Sequence, residues 1–90
     1  MKRWKRVPFD SDAPDAGALI RIFRKKGRVV ATVTGYTWFE PDGHEYTGYA
    51  DVVTSGARPV AEVLLDYKRS FAVVALESDD LWDAAWGALA

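Results

Sequence analysis

From Ala18 onward the pattern of apolar and polar positions becomes that of a sheet. Leu19-Ile20-Arg21-Ile22-Phe23-Arg24 reads as a strand, Lys25-Lys26-Gly27 as a turn, and Arg28 to Phe39, rich in Val, Thr and aromatics, as the returning strand of a hairpin. Gly27 supplies the positive φ that such a turn requires. A second turn follows at Glu40-Pro41-Asp42-Gly43-His44, with Pro where φ is preset and Gly where a left-handed residue closes a type I turn with a bulge. Pairing Glu40 with His44 sets the next register: Trp38 opposite Tyr46, Tyr36 opposite Gly48, and Gly35 opposite Tyr49. Each strand glycine is then covered by a tyrosine.

The period changes after Val53. Thr54 to Pro59 approaches a helix, with Pro59 suited to its first position, and Val60, Val63, Leu64 and Tyr67 fall at i, i+3, i+4 and i+7, an apolar stripe for the sheet. Lys68 and Arg69 near its end suit the helix dipole. Phe71 to Leu76 is too short for a helix pattern and predicts a buried strand, joined to the strand before the helix by a right-handed crossover. Ser78 predicts the cap of a final helix, with Asp79 and Asp80 in its first turn. Leu81, Ala85 and Leu89 line one side of it, with Trp82 and Trp86 four apart beside them. At the other end, Lys2 to Phe9 predicts an edge strand or an arm, because Pro8 lacks the donor that a central strand needs. Asp10 to Gly17 predicts a loop.

The order β-β-β-α-β-α gives an α+β fold, a small two-layer sandwich of an antiparallel sheet of three to five strands with two helices on one face. Residues 1–90 make one domain, of which 1–17 are the basic arm or edge strand plus loop. The sheet face without helices is open to a partner, including a second copy in a homodimer.

Composition narrows the chemistry. A chain of 90 residues buries only about 60% of its unfolded surface, so its four Trp, four Tyr and four Phe supply much of a thin core. The absence of Cys excludes disulfides, thiolate metal sites and a cysteine nucleophile. Asp10-Ser11-Asp12 has the start of a calcium loop, yet Asp15 stands where Gly is needed and Arg21 where a bidentate Glu belongs, so no metal is expected. No cofactor is expected either, since the glycines form neither a P-loop nor a dinucleotide fingerprint. The longest apolar run, Phe71 to Leu76, falls far short of the roughly 20 residues that span a bilayer, and the basic N-terminus lacks the apolar stretch of a signal peptide. The expectation is a soluble, cytoplasmic protein without a membrane partner.

Catalytic arrangements are thin. No serine sits in a Gly-x-Ser-x-Gly elbow, and the single imidazole, His44, belongs to a turn. Asp79, Asp80 and Asp83 offer carboxylates, but the first two fit a helix N-terminus and the third its flank. The chain reads as a non-enzyme.

Charge is distributed unevenly although the total is only −1. Residues 1–28 carry nine Lys and Arg against three Asp, a net of +6, and residues 29–90 carry three against ten acids, a net of −7. Such a split points either to a charged partner or to two halves that face each other in the fold. Two binding classes follow. In one, the protein occupies a surface of another protein or of a protein–nucleic-acid complex, with Tyr36, Trp38 and Tyr46 as anchors, in the manner of phage and mobile-element inhibitors of the anti-CRISPR type. In the other, Lys2, Arg3, Trp4, Lys5 and Arg6 converge with Arg24, Lys25, Lys26 and Arg28 at the hairpin tip on the phosphates of single-stranded RNA or DNA, with Trp4 stacking on a base.

Overall fold

The computed structural model describes residues 3–14, 17–39, 45–54, 56, 58–68 and 71–90, with the backbone alone for 36–39 and 45–54. Its elements are β1 (Arg3–Val7), β2 (Ala18–Lys25), β3 (Arg28–Phe39), β4 (Glu45–Thr54), α1 (Val60–Asp66), β5 (Ala72–Leu76), two 3₁₀ turns (Asp79–Leu81 and Ala84–Trp86) and the two-residue β6 (Ala88–Leu89). They build one mixed sheet in the order β4-β3-β2-β5-β1-β6. β2, β3 and β4 form the expected antiparallel meander, while β5 runs parallel to both β2 and β1.

The hairpin chemistry works as its sequence implies. Lys25 pairs with Arg28, leaving Lys26-Gly27 as a two-residue loop with φ of 51° and 77°, the left-handed pair that matches strand twist. On the next pair, Trp38 stands opposite Tyr46 as expected, but Gly35 stands opposite Ala50 rather than Tyr49. The register shifts between Val33 and Gly35 and again between Gly35 and Thr37, so irregularities absorb the slip. Gly35 is needed for another reason. A Cβ there would lie 2.8 Å from the Gly17 carbonyl oxygen and 2.9 Å from the Ala18 Cα, so the close approach of β2 excludes a side chain. The turn expected at Glu40-Pro41-Asp42-Gly43-His44 lies outside the described residues.

Three expectations are corrected. The basic N-terminus is neither an arm nor an edge: β1 lies between β5 and β6, and Pro8 falls just beyond its last residue, so the missing donor interrupts nothing. The sheet is mixed rather than antiparallel, because β5 inserts between β2 and β1 instead of joining the strand before the helix. No second helix forms over residues 78–90. Ser78 gives its hydroxyl to the Asp80 carboxylate and makes no backbone cap, Trp82 and Asp83 are extended, and the Asp83 carboxylate accepts from the Ala85 amide to start a separate turn. The tail then spends its backbone on the sheet. Ala90 N donates to Trp4 O, and Arg6 N to Ala90 O.

Alternation along the strands divides the core. Trp4, Ala18, Ile20, Ile22, Ala31, Val33, Val74 and Leu76 pack on one face with Val60, Val63 and Leu64 of α1 and Leu81 of the first 3₁₀ turn. Leu19, Val73 and Ala75 form a smaller cluster on the other face, with Val7 and Ala13 packed against it. Every residue of β5 is buried, as its unbroken apolar run predicts. The loop after β1 is clamped over that second face: the Arg21 guanidinium donates to the carbonyls of Phe9 and Ser11, and Phe9 meets Phe23 edge-on at 6.3 Å. Among the described residues, no helix is long and apolar enough to cross a membrane.

Candidate functional site

The two basic clusters do not converge. Lys5 stands level with Leu19 through Val73, and Lys25 ends the same β2 six residues further on, about 20 Å away at a strand's rise of about 3.3 Å per residue. Trp4 cannot stack on a base. It is 2% exposed, packed in the main core, and its indole N–H donates to the Trp86 carbonyl at 3.3 Å. Lys2 lies outside the described residues, as do the side chains of Tyr36, Trp38 and Tyr46.

What the strands do is sort charge by face. Lys5 is registered with Leu19, and Lys25 with Arg28, so Arg3, Lys5, Lys25 and Arg28 all occupy the face of Arg21 and the clamped loop. Arg6 and Arg24 alternate to the α1 face and meet acids there. Arg6 pairs with Asp79, Arg24 pairs with Asp80 at 3.6 Å, and the Arg24 amide donates to the Glu77 carboxylate at 3.3 Å. The two charge blocks of the sequence thus partly neutralise each other across space. Exposed pairs of this kind add little to stability, so the contribution is to placement. Asp80 is held below its usual carboxylate range, first by the Ser78 hydroxyl and then by Arg24.

The feature that stands apart is an apolar trough on the α1 face, between α1 and the two 3₁₀ turns. One part, about 300 Å³, is lined by Trp4, Ala61, Leu64, Leu65, Lys68, Ala85 and Trp86. A second, about 650 Å³, continues past Trp86 to Val29, Pro59, Val60, Leu81, Trp82 and Ala84, with Asp80 and Asp83 at its rim. Trp86 lines both parts and Trp82 the second, and the two rings meet edge to face with centres 5.2 Å apart. The Trp82 N–H is already given to the Gly87 carbonyl at 3.2 Å. Leu65 is 59% exposed and Val29 38% exposed on this surface. Outside the trough's lining, on the exposed side of α1, Arg58 binds Asp66 and reaches Glu62 at 3.9 Å.

No family model, no curated protein and no solved structure matches the chain. Its site is therefore read from geometry alone. Sequence reasoning missed Leu65, which falls outside the i, i+3, i+4, i+7 stripe, and that off-stripe leucine was the available signal. It noticed Trp82 and Trp86 but set them on a helix. Their pairing arises instead from two successive tight turns.

Proposed function

We propose that the chain is a small non-catalytic binding protein that acts by occupying a surface of a partner protein or protein–nucleic-acid complex, in the manner of phage and mobile-element inhibitors of the anti-CRISPR type. The observation that carries this reading is the trough along α1, with Leu65 exposed at its lip and Trp86, edge to face with Trp82, lining both of its parts. Isolated surface leucines are ordinary, but an apolar surface continuous over two concavities and centred on tryptophans has the make-up of an interface core. Small-molecule sites enclose most of their ligand, whereas this trough opens along its length to solvent.

The test is to capture partners from the source cell with the tagged full chain, purify the stoichiometric one, and measure its affinity for native protein and for Leu65→Glu. Because Leu65 is exposed, the variant folds, and binding weakens by at least about tenfold. Unchanged affinity in both Leu65→Glu and Trp86→Ala refutes the trough as the contact. Affinity lost instead on Trp38→Ala or Tyr46→Ala moves the contact to β3 and β4.

A further inference from the structure

We propose that the tip of the β2–β3 hairpin enters the major groove of double-stranded DNA and binds its phosphates without regard to sequence. The surface lies apart from the trough, and the proposal goes beyond the reading given to that site.

Topology makes the tip a projecting ribbon. β5 last pairs with β2 at Ile22 and β4 last pairs with β3 at Thr32, so among the described residues 23–25 and 28–30 pair only with each other. From Ile22 to Lys25 is about 10 Å at a strand's rise. The major groove of B-form DNA is about 8.5 Å deep and about 12 Å wide, and it admits a two-stranded ribbon.

Four cations occupy residues 24–28. Arg24 turns to the α1 face, where Asp80 holds its side chain and Glu77 its amide. Lys25, Lys26 and Arg28 are exposed, and among the described residues none of the three has an ion-pair partner. Asp10 and Asp12 follow Phe9, which packs on Phe23 at the base of the ribbon, behind the tip.

These cations are held at two local costs. Lys25 stands directly opposite Arg28, a like-charge pair that weakens a hairpin. Lys26 takes a left-handed φ of 51°, where Asn, Asp or Gly is the ordinary residue. Neither aids folding, and both concentrate positive charge on the part of the sheet that can reach between two rows of phosphates. Residues 24–30 hold no aromatic on which the bases of a single strand would stack, and the narrow major groove of duplex RNA excludes a ribbon. The chain has no Asn or Gln to read adenine, so the contact is to the backbone.

Fluorescence anisotropy of the full chain with a labelled DNA duplex of about 16 base pairs, at about 20–150 mM salt, tests this. Micromolar binding is expected at the lowest salt, with a slope of log affinity on log salt of about −2.7 for three phosphates. The single strand, and the same duplex in RNA, bind at least about fivefold more weakly. Lys26→Asn binds about three- to tenfold more weakly, with a slope smaller by about 0.9, although it relieves the turn and melts higher. Lys25→Gln with Arg28→Gln removes the like-charge pair, melts no lower than the native chain and loses most of the affinity. Lys5→Gln, about 20 Å away, changes the affinity by less than about twofold. Duplex binding that is undetected at about 100 µM protein, or that is unaltered in Lys26→Asn, overturns the proposal. Tighter binding to the single strand or to duplex RNA overturns it as well. So does a captured protein that depends on Lys25 and Arg28 while no DNA binds, which assigns the tip to an acidic protein surface instead.

Discussion

Trp4 is where two views of the N-terminus part, and its replacement separates them. As a core residue it fills the junction of β1, α1 and the second 3₁₀ turn, and its indole ties Trp86 to the sheet. Emptying a site of this kind costs about 3–5 kcal/mol. At roughly 0.05–0.15 kcal/mol per residue, a domain of this length has about 5–13 kcal/mol in total, so Trp4→Ala removes a large share. Trp4→Phe is the more informative change. It keeps an aromatic plane but loses the 3.3 Å hydrogen bond, about 1 kcal/mol, together with part of the packing, for about 1–3 kcal/mol altogether. In urea, with m near 1–1.5 kcal/mol/M, the midpoint falls by about 0.7–3 M. Exchange of the Ala90 amide, bonded to Trp4 O, accelerates with it. A midpoint shift below about 0.3 M, coupled to loss of single-stranded nucleic-acid binding, would show that Trp4 is a surface stacker and refute the packing argument.

Three further outcomes follow from local geometry. Lys26→Asn relieves a left-handed lysine at φ 51° and raises stability by about 0.5–1 kcal/mol in thermal or urea melts; a loss instead contradicts the turn assignment. Gly35→Ala drives a Cβ into the backbone of Gly17 and Ala18 and destabilises by about 1–3 kcal/mol, where a neutral result refutes the close approach of β2 and β3. Asp80 titrates below its ordinary value of 3.8, so its contribution is complete above that pH and is lost as pH falls through the lower folded value. Urea midpoints measured from pH 5 down to pH 2 therefore drop less steeply in Asp80→Asn than in the native chain, and identical slopes count against the Ser78 and Arg24 contacts.

Legibility followed the range of the interactions. The β2–β3 hairpin, the Trp38–Tyr46 pairing, α1 and the buried strand at 72–76 are governed by turn residues and short-range periodicity, and all were readable. The slip between β3 and β4 at Gly35 was not, because no turn residue or short-range period marks where a strand pair slips. Nor was the failure of the last helix. Ser78-Asp79-Asp80 is a good cap sequence, and the apolar spacing fits a helix, but β1 offers an edge that the tail can pair with, and Trp4 and Gly87 fix the path to it. A tertiary partner outweighed local propensity. The trough was illegible for the same reason: its second wall exists only because that helix does not form.

The charge pattern changes meaning once strands are placed. By sequence the split runs between the first 28 residues and the rest, which suggests a basic arm and an acidic body. In the fold, the basic segment contributes β1 and β2 to the middle of the sheet, and the two-residue period deals its cations alternately to the two faces. Those on the α1 side meet the acids of residues 77–83 and are neutralised; those on the other side share a face with the clamped loop. Charge reversal at Lys25 and Arg28 then leaves partner binding at the trough intact, and reversal at Asp80 and Asp83 leaves the basic face intact. Coupling between the two sets of substitutions, measured as a departure from additivity in binding, would contradict a sheet that keeps the two faces electrostatically apart.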